Sequence, residues 1–228
     1  MTSDPKTLSA AEAAELTEAY LAAHCDPEPP ELHDLYRHTN LSHLYPHMCS
    51  GHVQGRLLSM LSFMIRPRRV LELGTYTGYS ALCLAEGMPV GGVLDTVEID
   101  DEMADELRET FAANPRPAEI RLHVGDALEV VPRLEGEWGL VFIDANKRNY
   151  RQYFEMVVDR VPSGGFILAD NTLWGGKMPL SAGPDGAAAF HDAQSRAIAE
   201  FNDAIASDPR VAKVILPVRD GLTICRRL

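Results

Sequence analysis

The chain has 228 residues, 46% of them hydrophobic and 24% charged, enough for one large domain with a buried core. Its formal charge of −12 argues against broad binding to polyphosphate, because such affinity rests on lysine and arginine contacts, although 21 Lys+Arg remain for a local basic path. No apolar run approaches the roughly 20 residues that span a bilayer. The opening MTSDPKTLSA lacks the basic and apolar stretches of a signal peptide. Cys25, Cys49, Cys83 and Cys225 are scattered without a CxxC pair, which disfavours a disulfide framework or zinc knuckle and points to a cytoplasmic protein with reduced thiols.

After a frayed tail of eight residues, AAEAAELTEAYLAAH reads as a helix, stopped by the prolines of CDPEPPE. A short helix is expected around Glu31–His38, followed by a histidine-rich loop. Gly51 to Ile65 carries the next amphipathic pattern, ended by Pro67. The texture then changes to strand–helix alternation. RVLELG, GVLDTVEID, EIRLHVGD, GLVFIDAN and GGFILADN are strands, separated by the helices GYSALCLAEG, DEMADELRETFAAN, ALEVVPRL and NYRQYFEMVVDRV. Such alternation implies parallel strands joined by right-handed crossovers. An irregular stretch, WGGKMPLSAGPDG, leads to a helix over roughly 187–206, and RVAKVILPV with GLTICRRL forms a terminal hairpin. The predicted fold is α/β, a Rossmann-like three-layer sandwich. Its seven-stranded, mostly parallel sheet has a C-terminal antiparallel strand, and helices precede it. The whole chain, 1–228, reads as a single domain, with a helical extension at 1–50 and a ligand-binding core at 51–228.

Ligands of open parallel sheets bind at the carboxyl ends of the strands, and here successive strands end in polar or glycine-rich sequences. After the first comes Glu72-Leu73-Gly74-Thr75-Tyr76-Thr77-Gly78-Tyr79-Ser80. Gly74 and Gly78 permit a tight turn and close approach of a ligand, but the spacing is not the GxGxxG of dinucleotide sites. Glu72 would repel a pyrophosphate and suits an ammonium group, which favours S-adenosylmethionine over NAD. A plain strand–helix turn is the simpler reading. Glu98 closes its strand roughly 20 residues on, where an acid accepts from ribose hydroxyls; otherwise it is a solvated carboxylate. Asp126-Ala127 is placed to meet adenine, and Asp126 also suits a helix N-cap.

The fourth strand ends in Asp144, with Lys147 three residues on, and the fifth in Asp170-Asn171. Asp144, Asp170 and Asn171 form a hard-oxygen set suited to a divalent cation, magnesium first and manganese or calcium as alternatives. Each aspartate alone could be a loop cap. Methyl transfer from a sulfonium needs an acceptor close to an oxyanion. A coordinated cation stabilises that anion, and a lysine beside it can collect the proton. Lys147 is the candidate base, against the plain alternative of a surface lysine. Tyr150 and Trp174 either wall an acceptor pocket or pack in the core.

These motifs, MCSGHVQGRLL, VLELGTYTGYSALCLA, TVEID, GDAL, FIDANKRNY and LADNTLWGG in order, resemble the cation-dependent class I O-methyltransferases, the catechol and caffeoyl-CoA family and its bacterial branch, from about Met48 onward. The resemblance implies that Asp144, Asp170 and Asn171 hold the metal and that Lys147 is the base. It places Met48, Ser50, Glu72, Gly74, Tyr76, Ser80, Glu98, Ala127 and, at the shared strand end, Asp126 and Asp144 around the cofactor. It also implies a homodimer, with the N-terminal helices over the acceptor pocket or the dimer contact. The plant caffeoyl-CoA enzymes carry asparagine after the tryptophan of DNTLW, where Gly175 stands here. The expected reaction is methylation of a catechol or phenolic hydroxyl on a small molecule, without membrane partners. The alternatives are methylation of hydroxyuridine in tRNA, where one flipped base needs only a local contact path, a nicotinamide-dependent oxidoreductase, and a non-catalytic S-adenosylmethionine-binding protein.

His33, His38, His43, His47 and His52 invite a zinc reading, and His43/His47 has i,i+4 spacing. Without a cysteine pair or an HExxH motif, they read as solvated or pocket-lining. The acidic run from Glu98 to Glu109 reads as a solvated helix face.

Overall fold

The computed structural model describes residues 9–183 and 185–228, so the tail of eight residues expected at the N-terminus lies outside the described residues. Helix α1 (Ala10–His24) begins at a reciprocal cap: Ser9 Oγ accepts from the Glu12 N–H, and the Glu12 carboxylate accepts from the Ser9 N–H. Helix α2 (Pro30–Ser42) runs one turn past its expected end. Leu32, Leu35 and Thr39 recur at helical spacing and are all buried, and this packing overrides the weak propensity of His38, Thr39 and Asn40. Helix α3 (Gly51–Ile65) stops at Arg66, which turns left-handed just before Pro67.

The alternating core follows: β1 (Arg69–Leu73), α4 (Tyr79–Glu86), β2 (Val93–Glu98), α5 (Ala104–Ala113), β3 (Glu119–Val124), α6 (Ala127–Val130), β4 (Leu140–Ile143), α7 (Tyr150–Val158) and β5 (Phe166–Asp170). Two 3-10 turns occupy the irregular stretch. Helix α8 (Ala193–Ser207) starts later than expected, because Asp192 caps it by accepting from the Ser195 N–H. Strands β6 (Val211–Leu216) and β7 (Leu222–Arg227) make the terminal hairpin.

The sheet order is β3-β2-β1-β4-β5-β7-β6. β1 to β5 pair in parallel, and β7 runs antiparallel to both neighbours, as the C-terminal hairpin led one to expect. Side-chain alternation along the strands feeds two cores. Leu71, Leu73, Val141, Ile143, Ile167 and Ala169 face α6, α7 and α8. Val70, Leu140, Phe142 and Leu168 face α2, α3 and α4. β1 and β4 lie centrally and are buried almost throughout, the pattern of a parallel sheet covered on both faces.

Layer spacing beneath α3 and α4 is set by glycine. A Cβ on Gly87 would lie 2.2 Å from the Phe63 nitrogen and 2.3 Å from the Ser62 carbonyl carbon. Nearby, Ser62 Oγ donates to the Leu84 carbonyl at 2.5 Å. Gly87→Ala forces the helices apart, at a cost of about 1–3 kcal/mol. We expect a melting temperature lower by roughly 2–4 °C per kcal/mol, measured by calorimetry against the wild type; an unchanged melting point would show that α3 yields freely.

Candidate active site

The sheet connections reverse direction between β1 and β4, and the crevice opens there. The two backbones nearly touch: Asp144 N donates to the Leu73 carbonyl at 2.8 Å. A Cβ on Gly74 would lie 2.1 Å from the Asp144 carbonyl oxygen. Gly74 (φ 93°), Tyr76 (φ 50°) and Gly78 (φ 85°) all lie in the left-handed region, so the turn after β1 curls back over the strand ends.

Glu98 holds that turn. One of its oxygens accepts from the Thr75 N–H at 3.1 Å and the Tyr76 N–H at 2.7 Å, and the other accepts from the Asp100 N–H at 3.0 Å. A carboxylate has about four lone-pair sites, so these three contacts leave roughly one unused. Glu72 is fully buried; Oε2 accepts from Thr96 Oγ1 at 2.6 Å, while Oε1 has no partner. Burial pushes its carboxyl up to about 8, opposed by the hydrogen bond from Thr96. Asp126 caps α6 by accepting from the Leu128 N–H at 2.9 Å, beside buried Ala127. Ser50 and Ser80 are buried, Met48 is exposed, and the Tyr76 hydroxyl is buried without a partner.

The second cluster lies at the ends of β4 and β5. Lys147 Nζ donates to Asp144 Oδ1 at 2.6 Å and to the Tyr150 hydroxyl at 2.7 Å. That hydroxyl in turn faces the Asp170 carbonyl at 3.0 Å. Lys147 is 9% exposed, so the surface-lysine reading fails. The Tyr150 ring is fully buried, edge-on to Phe201, and only its hydroxyl reaches the cluster; it is no pocket wall. Trp174 (φ 46°) is half-buried and packs against the core from the turn after Asn171 (φ 57°). Asp170 is 4% exposed. Burial first, and then Asp144, pushes its carboxyl up to about 6.

Two residues beyond the expected set complete this cluster. Gln54, on the buried face of α3, donates from Nε2 to Asp170 Oδ2 at 2.8 Å. Its Oε1 accepts from Arg219 Nη1 at 3.2 Å. Arg219, in the β6–β7 turn, also donates to the carbonyls of His47, Cys49 and Ser50. Gln54 carried a sequence signal: an amide four residues before Leu58 and eight before Ser62, on the apolar stripe. Asp170 Oδ1 remains buried without a partner.

Two outcomes test this geometry. Glu72 has a folded pKa above its unfolded value, so its contribution to stability is complete below about pH 4.5 and is lost as pH rises towards about 8. Glu72→Gln has no proton to lose, so melting curves should show it gaining on the wild type from pH 5 to pH 8; parallel pH profiles would contradict this. Gln54→Leu leaves both Asp170 oxygens unbonded and should cost about 1–3 kcal/mol, read by denaturant melts at pH 8.

Comparison with known proteins places this geometry. The family pattern described as O-methyltransferase matches residues 22–228, reaching well upstream of Met48. The chain is 34% identical over 231 residues to tricin synthase 2 of Oryza sativa subsp. japonica, covering 98% of this chain and 78% of that protein. It is 33% identical over 209 residues to a caffeoyl-CoA O-methyltransferase of Stellaria longipes, covering 88% and 85%. Among solved structures it resembles the O-methyltransferase TomG of Streptomyces achromogenes in complex with SAM, with a TM-score of 0.85, 25% identity and coverage of 96% and 99%. The SAH-bound Podospora anserina methyltransferase PaMTH1 gives 0.83 and 29%, covering 99% of both chains. This excludes the nicotinamide reading: the chain belongs to the S-adenosylmethionine-dependent O-methyltransferases of the caffeoyl-CoA type.

Proposed function

We propose that the enzyme methylates a catechol or phenolic hydroxyl of a small molecule with the help of a divalent cation held by Asp144, Asp170 and Asn171. The observation that carries this reading is Asp170 Oδ1, a buried carboxylate oxygen with nothing to accept from, beside a second carboxylate. Such an arrangement is costly alone and is relieved by a cation. The all-oxygen donor set suits magnesium first, then manganese or calcium. When bound, the ion stabilises the oxyanion form of the acceptor hydroxyl.

The protein's own residues do the rest. Lys147 Nζ receives the hydroxyl proton, and its position is fixed by Asp144 and by the Tyr150 phenol. Gln54 and Arg219 hold Asp170 in place. For the cofactor, the free oxygen of Glu72 suits the ammonium of S-adenosylmethionine, and the remaining lone pair of Glu98 suits a ribose hydroxyl. Gly74, Tyr76 and Ser80 line the turn above it. Met48 and Ser50 close one side, Asp126 and Ala127 border the adenine, and Trp174 borders the acceptor. Relatives named for caffeoyl-CoA support a phenolic acceptor, while Gly175 leaves open space after Trp174.

Residues 1–228 act as one methyltransferase domain, and the enzyme works as a cytoplasmic homodimer. Exposed Tyr20 on α1 and Met60, Phe63 and Met64 on α3 support the dimer. No helix among the described residues is long and apolar enough to cross a membrane.

The test is turnover on catechols and hydroxycinnamoyl-CoA esters, with and without chelator. Chelation should abolish turnover and magnesium restore it. Lys147→Ala should keep S-adenosylhomocysteine binding by calorimetry and lose about 10²–10⁴-fold in kcat. Turnover undiminished in chelator would overturn the cation, and an unimpaired Lys147→Ala enzyme would overturn the base.

A further inference from the structure

Across the cofactor turn from the carboxylates, His38 in the last turns of α2, His43 at its C-cap and Glu106 in the first turn of α5 converge. Glu106 Oε1 lies 3.0 Å from His43 Nε2 and 3.4 Å from His38 Nε2. Ligand atoms from the three residues all lie within 4.8 Å of one another. An ion bonded tetrahedrally at about 2.0–2.2 Å sets its ligand atoms roughly 3.4 Å apart, so the His38 contact matches an edge of such a tetrahedron, while the His43 contact, a 3.0 Å hydrogen bond, has only a few tenths of an ångström to open.

The rings are oriented for this. They cross at 81° with centroids 5.9 Å apart, and both Nε2 atoms turn to the same carboxylate oxygen. His38 Nδ1 lies 3.5 Å from Ser42 Oγ, an outer partner of the kind that fixes which ring nitrogen faces the ion. His43 is the most buried of the three, its side chain 13% exposed, and His38 is 55% exposed, which leaves a face for water. The i,i+4 pair noted in the sequence, His43 and His47, is not the one used; the ring of His47 lies edge-on to Tyr45.

We propose that His38, His43 and Glu106 bind a transition-metal dication of the zinc class, clamping α2 to α5 beside the cofactor turn. Two imidazoles and a carboxylate select such an ion, whereas the all-oxygen set of Asp144, Asp170 and Asn171 selects a hard one. The clamp bears on the cofactor cleft through His43, whose ring packs edge-on against Tyr76 at 5.7 Å. The Tyr76 N–H is in turn held by Glu98.

Calorimetric titration of zinc into tag-free, metal-stripped, full-length protein in excess magnesium separates the two sites. Wild type and an Asp144→Asn/Asp170→Asn variant should both bind zinc and gain melting temperature from it. His43→Ala and the milder Glu106→Gln should each weaken binding by at least about tenfold and lose the thermal gain, with Glu106→Gln melting like wild type without metal. Zinc binding that disappears in the aspartate variant but survives in His43→Ala and Glu106→Gln would overturn the proposal, as would a wild type that binds none.

Discussion

At the carboxyl ends of β1 and β4 the backbones of Gly74 and Asp144 approach until no side chain fits between them. That contact decides what the rest of the crevice can be. It brings Glu72, which projects from β1, into the same electrostatic neighbourhood as Asp144 and Glu98. It also leaves the turn after β1 only a left-handed path, through Gly74, Tyr76 and Gly78. A protein of net charge −12 thus gathers acids where water is scarce. Each of them is offset locally: Glu72 by the Thr96 hydroxyl, Glu98 by backbone N–H groups, Asp144 by Lys147, and Asp170 by Gln54. The offsets are incomplete at one oxygen of Glu72 and one of Asp170. Those two gaps mark where a cationic group gains most from entering.

The scaffold explains why these groups stay aimed. Lys147 sits in a 3-10 turn immediately before α7, and Tyr150 is the first residue of that helix. The fully buried ring of Tyr150 against Phe201 gives its hydroxyl a fixed address. Lysine chains are flexible, and this one is pinned at its tip by a phenol and a carboxylate. Gln54 plays the matching part on the opposite face of the sheet, reaching from α3 to the end of β5. Order in this cluster comes from Tyr150 and Gln54 on helices packed against a covered sheet, with Arg219 reaching in from the β6–β7 turn.

Much of this was legible in the sequence because local rules and tertiary packing agree. Helix α1 is written in its helix-forming residues and a proline stop, and β1, β4 and β5 in short apolar runs that end in glycine or aspartate. The carboxylates and Lys147 lie in compact motifs, so their convergence followed from the parallel order of the strands. Legibility failed where packing at a distance decides. The extra turn of α2 depends on the burial of Thr39, whose hydroxyl meets that of Thr77, 38 residues away. Gln54 and Arg219 are 165 residues apart, and no local pattern couples them. Tyr150 was open between pocket and core, since a tyrosine at a helix start suits both until the neighbouring α8 supplies Phe201.

The position of β7 has a consequence for how the enzyme is made. It is the last strand in sequence, yet it lies between β5 and β6 rather than at the rim. The turn leading into it supplies Arg219, which grips the carbonyls of His47, Cys49 and Ser50. During vectorial synthesis the first five strands can assemble while the ribosome is still adding residues. The cleft nevertheless lacks its keystone until residues 217–227 have emerged and inserted. A nascent chain therefore holds its acidic crevice open and unfinished, and competence for ligands arrives in one late step.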